Sequence, residues 1–294
     1  MNNKFTHLLV ILFGYIACIY SMLLTWNYLL DASLIFKVLI CHIEATIFIY
    51  LLSVLFKNSS WYDAFWSVIP VVLTILCWSD ISAAGNIQRA FLMHACLLLW
   101  AIRLTYNWMR SWEGFSHEDW RYIMMKAKTN NKFQYFIVDF FSIHLIPTLC
   151  VYMALLPMIF ALAYPGADLN SLDLIASFLA ISAVMIQIIA DQQMYNFRKN
   201  LTSPKTMTSG LWYYSRHPNY FGEILFWFSL FVFALASDIS LGWLLIGPII
   251  MYALIAIASV SMMDKRSLER RPDFKDYMNT TPAIFINFLK KDRR

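Results

Sequence analysis

Five side chains able to carry or bind charge fall within eight consecutive positions: Arg216, His217, Asn219, Tyr220 and Glu223. They close the stretch SGLWYYSRHPNYFGE (209–223), where a polar loop runs into an apolar segment. Pro218 suits the first turn of a helix, where its missing N–H leaves no bond unmade. The residue before it, His217, is driven toward an extended backbone. The helix that begins here offers free N–H donors and about half a positive charge. With Arg216 and His217 beside it, that end suits a phosphate or a carboxylate. Asn219 and Glu223 are four apart and share a face. An amide and a carboxylate one turn inside a membrane suit a polar ligand head. Taken alone, the stretch also reads as a capped helix start with a polar anchor.

Other polar groups in apolar surroundings converge on it. Asp191, Glu223 and Asp264 end the last three apolar segments on one side, at similar depth. Arg103 and Asn107 share a face of the fourth segment. Intramembrane charges usually face a bundle interior or a cavity. Arg198 follows Asp191 by seven residues. Glu44, beside His42, lies deeper, and a neutral carboxyl bonded to a neighbouring helix is its bland reading. Asp139, His144, Glu118, Asp119 and Arg121 read as packing and orienting groups. The histidines form no HxxxH or HxxHH box, so no metal centre is expected. No phosphate-binding glycine motif and no Ser-His-Asp set is present. The cysteines all lie in apolar segments and read as small core residues rather than as a disulfide framework.

The elements that must position these groups are membrane helices. The 294 residues are 60% hydrophobic and 14% charged, against about 25% charged in ordinary soluble domains. Apolar runs near 20 residues cross the hydrocarbon core as helices, because backbone groups in lipid must bond internally. Eight such segments can be marked, near 8–30, 34–56, 66–79, 88–110, 134–163, 171–193, 219–237 and 241–263. The expected fold is all-α, a polytopic integral membrane bundle of seven to eight spans forming one domain over 1–294. The first segment is too long for the apolar core of a signal peptide and is expected to be retained. Pro147 and Pro157 predict a kink in the fifth segment. Arg121, Lys126, Lys128, Lys132, Arg198, Lys199, Lys205, Arg216, Lys265, Arg266, Arg270, Arg271, Lys275 and the 290–294 cluster fall on one side. Asp31, Asp80, Asp168 and Asp238 fall on the other, with Arg89 and Lys37. The positive-inside rule then puts both termini in the cytoplasm. The net charge of +5 reports this topology and not nucleic-acid binding.

The stretch 209–223, Asp191 with Arg198, and the tail RSLERRPDFKDYMNTTPAIF together resemble the steroid 5-alpha-reductase family, in particular its bacterial branch. WYDAFWSVIP (61–70), RLTYNW (103–108) and HEDWRY (117–122) resemble that branch too, so the likeness runs over about 61–288. It implies a bundle of about seven spans in a bacterial inner membrane. It implies NADPH bound in the cytoplasmic half, and reduction of a carbon–carbon double bond conjugated to a carbonyl in a lipid- or steroid-like substrate. Asn219 and Glu223 then fall on the nicotinamide end, Asp191 and Arg198 on the ribose–phosphate region, and Arg103 and Arg216 on the phosphates, with His217 and Tyr220 alongside. The family polarises the substrate carbonyl with a Glu and a Tyr. Glu44 matches the Glu by its place in the second helix. The Tyr position reads Trp100, which cannot release a proton as a phenol does, and Tyr106 or Tyr62 would substitute.

Arg216-His217-Pro218 followed by Tyr220 is also similar to membrane methyltransferases of the isoprenylcysteine carboxyl type. There the same helix entrance would hold S-adenosylmethionine, its carboxylate on Arg216 and His217. A non-catalytic lipid-binding protein is the third reading. All three put membrane lipids around the chain, and the sequence leaves the oligomeric state open.

Overall fold

The computed structural model describes residues 2–80, 86–201, 203 and 205–287. Among them there is no strand, and eight helical segments are long and apolar enough to cross a membrane. The chain is an all-α, multi-pass bundle, at the upper of the two expected span counts. The 290–294 cluster and the side chain of Asp80 lie outside what is described.

α1 (Asn2–Tyr28) and α2 (Leu34–Phe56) form the first hairpin. Lys57 stops α2 in the left-handed region, φ 52°, and its N–H bonds back to the carbonyls of Ser53 and Val54. Asn58 then accepts a bond from the Ser60 N–H at 2.9 Å. This starts a 3-10 turn over Ser59–Tyr62, which leads into α3 (Phe65–Asp80). The third span therefore runs Ser59–Ser79, longer than the expected 66–79, because an amide cap opens it ahead of the apolar run. α4 (Ile87–Ser111) is capped by Asn86, which accepts from the N–H groups of Gln88 and Arg89. The basic loop that follows holds α5 (Trp120–Lys126), capped by Asp119.

The kink expected at Pro147 takes a definite form. α6 (Lys132–Phe136) widens into a π-helical stretch, Ile137–Leu145, before continuing as α7 (Ile146–Ala163). A proline lacks the donor and crowds the carbonyl four residues back, and a wider turn placed just ahead of it absorbs both. α8 (Ser171–Lys199) starts on a capping box of Asn170 and Asp173. Its 29 residues span about 44 Å at 1.5 Å each, so its last turns project past the hydrocarbon core with Arg198. A short α9 (Leu211–Tyr214) precedes α10 (Pro218–Ser237). The eighth span, Ile239–Arg270, contains α11 (Ile246–Ala253) and α12 (Ser261–Arg270), separated by a second π stretch. α13 (Phe274–Thr280) folds back beneath the start of α10.

α8 and α10 pack closely because one face of each is small. Ala176, Ala180, Ala183 and Ala190 are buried along α8. Gly222 faces them so closely that a Cβ there would stand 2.8 Å from the Ala183 carbonyl oxygen. Small residues let membrane helices approach backbone to backbone. Here the approach brings Gln187 and Asp191 of α8 level with Glu223 and Asn219 of α10.

The end of the bundle away from the basic loops is tied by Arg89, which is fully buried. It bonds both oxygens of Asp173 (2.7 and 2.9 Å) and the carbonyls of Ala167, Asp168 and Ala236. A single guanidinium thus joins α4, α8 and the end of α10. At the basic face, Arg266 of α12 lies 3.9 Å from the Trp120 ring centroid, so the 112–131 loop docks against the last span.

Candidate functional site

A cavity of about 570 Å³ opens at the basic face, walled by the ends of α4, α8 and α12 and by the stretch entering α10. A second cavity of about 790 Å³ shares Met194, Arg198, Met263, Ser267 and Arg271 with it. The two form one cleft with two chemically distinct ends.

The first end is polar and structured. Asp191 and Asn219 line it, and the Asn219 amide nitrogen is 3.5 Å from Asp191 Oδ1. The amide oxygen of Asn219 is buried with no partner. An acceptor left unmatched in a cavity wall is ready for a ligand N–H. Asp191 is held from behind by Arg103 in a short charge-assisted bond. Arg103 also stands 3.8 Å from Glu223 Oε2. It does not itself line the cavity but neutralises the carboxylates beneath it.

Glu223 sits below this floor and is buried. The Trp100 indole N–H donates to both its oxygens at 3.1 Å, Trp227 donates at 2.9 Å and the Gln187 amide at 2.6 Å. Its carboxylate is therefore taken up by donors from α4, α8 and α10. The role expected from the sequence was contact with a ligand; the geometry makes Glu223 the buried knot that fixes the helices carrying Asp191 and Asn219. Trp100 is stacked on Phe226, with centroids 5.0 Å apart and planes at 4°.

Arg216 is a clamp. Its guanidinium bonds Asp264 Oδ2 at 2.7 Å and the carbonyls of Thr281 (2.6 Å) and Met278 (3.3 Å). Its N–H bonds the Pro282 carbonyl at 2.9 Å. The tail is thus fastened to the entrance of α10, and the Arg216 charge meets Asp264 before any phosphate. His217 lines the cavity, with Nε2 2.9 Å from Asp264 Oδ1. Its ring stacks on Tyr220, centroids 5.3 Å apart. Tyr277 anchors α13 by donating to the Trp212 and Ser215 carbonyls, and burial pushes its phenol well up.

The second end is cationic. Arg198, Lys205, Arg266, Arg270 and Arg271 line it, and no carboxylate does. Among the described residues, no carboxylate lies within ion-pair distance of these five. Burial lowers the Arg271 guanidinium; Asp273 opposes that, while Arg198 and Arg270 lower it further by like-charge repulsion. Such crowding is relieved by a bound anion. Arg198 is the residue that the family resemblance assigns to the ribose–phosphate region, and it lines this end. Arg266, Arg270 and Arg271 belong to the tail that carries the resemblance and to the basic side, with no binding role assigned from the sequence, although 266 and 270 are one helical turn apart, the spacing that aligns two charges on one face.

The two residues expected to polarise a substrate carbonyl lie elsewhere. Glu44 faces α1, where Ser21 donates to it at 2.5 Å. Tyr106 is 62% exposed on the outer side of α4, with Arg110 over its ring at 5.8 Å. Neither lines the cleft. Tyr62 is buried and bonded to Thr148 at 2.8 Å. No group of three or more metal-ligating side chains occurs among the described residues.

Comparison with known proteins places this arrangement in a family. The family described as "Protein of unknown function (DUF1295)" matches residues 49–281. The chain belongs to that family. The matched stretch contains every residue lining the two cavities and excludes Glu44. An uncharacterised protein of Schizosaccharomyces pombe is 28% identical over 258 residues, covering 79% of this chain and 74% of that protein. No solved structure matches.

Proposed function

We propose that the protein is an integral-membrane, NADPH-dependent reductase of a carbon–carbon double bond conjugated to a carbonyl in a hydrophobic, lipid- or steroid-like substrate. The observation that carries this reading is the two-ended cleft: an amide–carboxylate pair with an unmatched acceptor at one end, five cations without a carboxylate at the other. The family's relation to steroid 5-alpha-reductase-like proteins supports it.

The donor set fits the dinucleotide. NADPH carries negative charge on a pyrophosphate and on a ribose phosphate, and Arg198, Lys205, Arg266, Arg270 and Arg271 would hold these. Its carboxamide offers N–H donors, which the Asn219 oxygen and Asp191 would accept. Bound there, it supplies hydride; the chain supplies position and electrostatics. S-adenosylmethionine fits less well. It carries a cationic sulfonium and one carboxylate, and Arg216, the cation first in line for that carboxylate, is engaged with Asp264 and the tail.

A cytoplasmic cofactor would need the basic face, and with it both termini, in the cytoplasm, the side that the positive-inside rule favours. The likeness to the bacterial branch supports an inner-membrane location. Equilibrium binding of labelled NADPH to the purified protein tests the reading. Saturable binding that excess S-adenosylmethionine does not displace supports it, and binding of labelled S-adenosylmethionine alone overturns it.

A further inference from the structure

The reductase reading leaves one chemical role without a residue. Reducing a conjugated double bond needs a proton as well as a hydride. Glu44 and Tyr106 lie away from the cleft, and the Trp100 N–H is held by Glu223.

His217 has the geometry for that role. Asp264 is buried, and each of its oxygens has a partner: Oδ2 takes the Arg216 guanidinium at 2.7 Å and Oδ1 faces His217 Nε2 at 2.9 Å. A carboxylate on one nitrogen fixes the ring and leaves the other nitrogen to exchange a proton. The stack on Tyr220 fixes the ring plane. Nδ1 is the nitrogen left to the cavity that the ring lines, and it is not among the buried polar atoms lacking a partner. Asn219 and Asp191 line the same cavity. The charged and titratable groups around His217 are Asp264 of α12, Arg216 and Tyr220 of its own stretch, Tyr277 of α13, and, across the cavity, Arg110 of α4, Asp191, Tyr195, Arg198 and Lys199 of α8, and Arg271.

We infer that His217 is the proton donor of the cleft and that Asp264 is its positioning residue. This rests on the reductase reading. NADPH, held by Asn219, Asp191 and the cationic end of the cleft, would supply hydride, with its electron pair, to the β-carbon of the conjugated carbonyl compound. The π electrons of the double bond move onto the carbonyl, giving an enolate. The Nδ1–H bond of the imidazolium breaks, its proton goes to the enolate and its electron pair stays on nitrogen. The ring is left neutral, with Nε2–H donated to Asp264. Water entering from the basic face restores the proton.

Three measurements on the purified full-length protein test this. First, the His217→Gln variant should bind NADPH within about threefold of wild type, because the ring serves the substrate and not the cofactor. A loss of tenfold or more would make His217 a cofactor ligand and overturn the assignment. Second, diethyl pyrocarbonate acylates imidazole nitrogens, and the Asp264 carboxylate engages Nε2 of His217 at 2.9 Å, so His217 should label several-fold faster in Asp264→Ala than in wild type. An unchanged rate, or no label at His217 in either protein, overturns the pairing. Third, with progesterone as the probe enone, turnover in His217→Gln should fall by about 100-fold or more, the usual scale of acid–base catalysis. Unchanged turnover overturns the role. Failure of NADPH to bind wild type removes the reductase reading and this reaction with it. In that case a persisting Asp264 effect on labelling shows that the cofactor assignment failed and not the pairing.

Discussion

Trp100 donates one indole N–H to both carboxylate oxygens of Glu223 across the α4–α10 contact, at 3.1 Å each. With Trp227, Gln187 and Arg103 around the same carboxylate, Glu223 is surrounded by donors alone. Glu223→Gln would set an NH₂ against one of those donors. Leaving a buried donor unmatched costs about 1–3 kcal/mol. The variant should therefore unfold at lower temperature in detergent, and any loss of cofactor affinity should follow from that. An unchanged melting temperature with weakened cofactor binding would instead return Glu223 to direct ligand contact.

The scaffold was legible because its signals are local. Long apolar runs, the helix start at Pro218 and the one-sided basic loops each follow from short stretches of chain. So did the meeting of Asp191 with Asn219, since both end helices joined by a single connection. What was not legible depends on partners distant in the chain. Arg216 reads as a free cation until Asp264, 48 residues on, takes it. Trp100 reads only as a replacement of the family's Tyr until Glu223, 123 residues on, accepts its N–H. Tyr106 and Glu44 are polar groups on spans, but which way each helix turns is set by packing, and packing turns them away from the cleft.

Arg103 and Asp191 form a pair whose side chains are about one-tenth exposed. Removing one partner of such a pair costs about 3–5 kcal/mol, because the other charge stays buried. Asp191→Asn alone should be severely destabilised. Combining it with Arg103→Met should recover part of the loss, although Glu223 then remains uncompensated. A double-mutant cycle on unfolding measures the coupling. Strict additivity would show that the two side chains are independent.

Arg270 is exposed and lines only the cationic cavity. Arg270→Gln should leave unfolding within about 0.5 kcal/mol of wild type, as surface changes usually do. It should weaken NADPH binding by about fivefold, the loss of roughly 1 kcal/mol of charge-assisted contact. NADH, lacking the ribose phosphate, should bind more weakly to wild type, and its affinity should respond less to the variant. Equal losses for the two nucleotides would place Arg270 away from that phosphate, and no loss for either would leave it outside the site.

Acid should release the 112–131 loop. Burial pushes the Asp119 carboxyl up, but Arg121, bonded to it at 2.8 and 2.9 Å, brings it below its usual range. A carboxyl depressed in the folded state contributes stability above its unfolded value, about 3.9, and that contribution is lost as pH falls through the folded value. Wild type should therefore lose more stability than Asp119→Asn on acidification below about pH 4. Parallel pH profiles of melting temperature for the two proteins would show that the pair is not linked to folding.

The claim that the cleft is a dinucleotide site is tested most directly by ligand-dependent stabilisation of the purified wild-type protein. A ligand that binds only the folded state, at about 100 times its dissociation constant, adds about 2.7 kcal/mol. NADPH should raise the melting temperature in a concentration-dependent way, and S-adenosylmethionine at the same concentrations should not. Stabilisation by S-adenosylmethionine with no effect of NADPH would contradict the account.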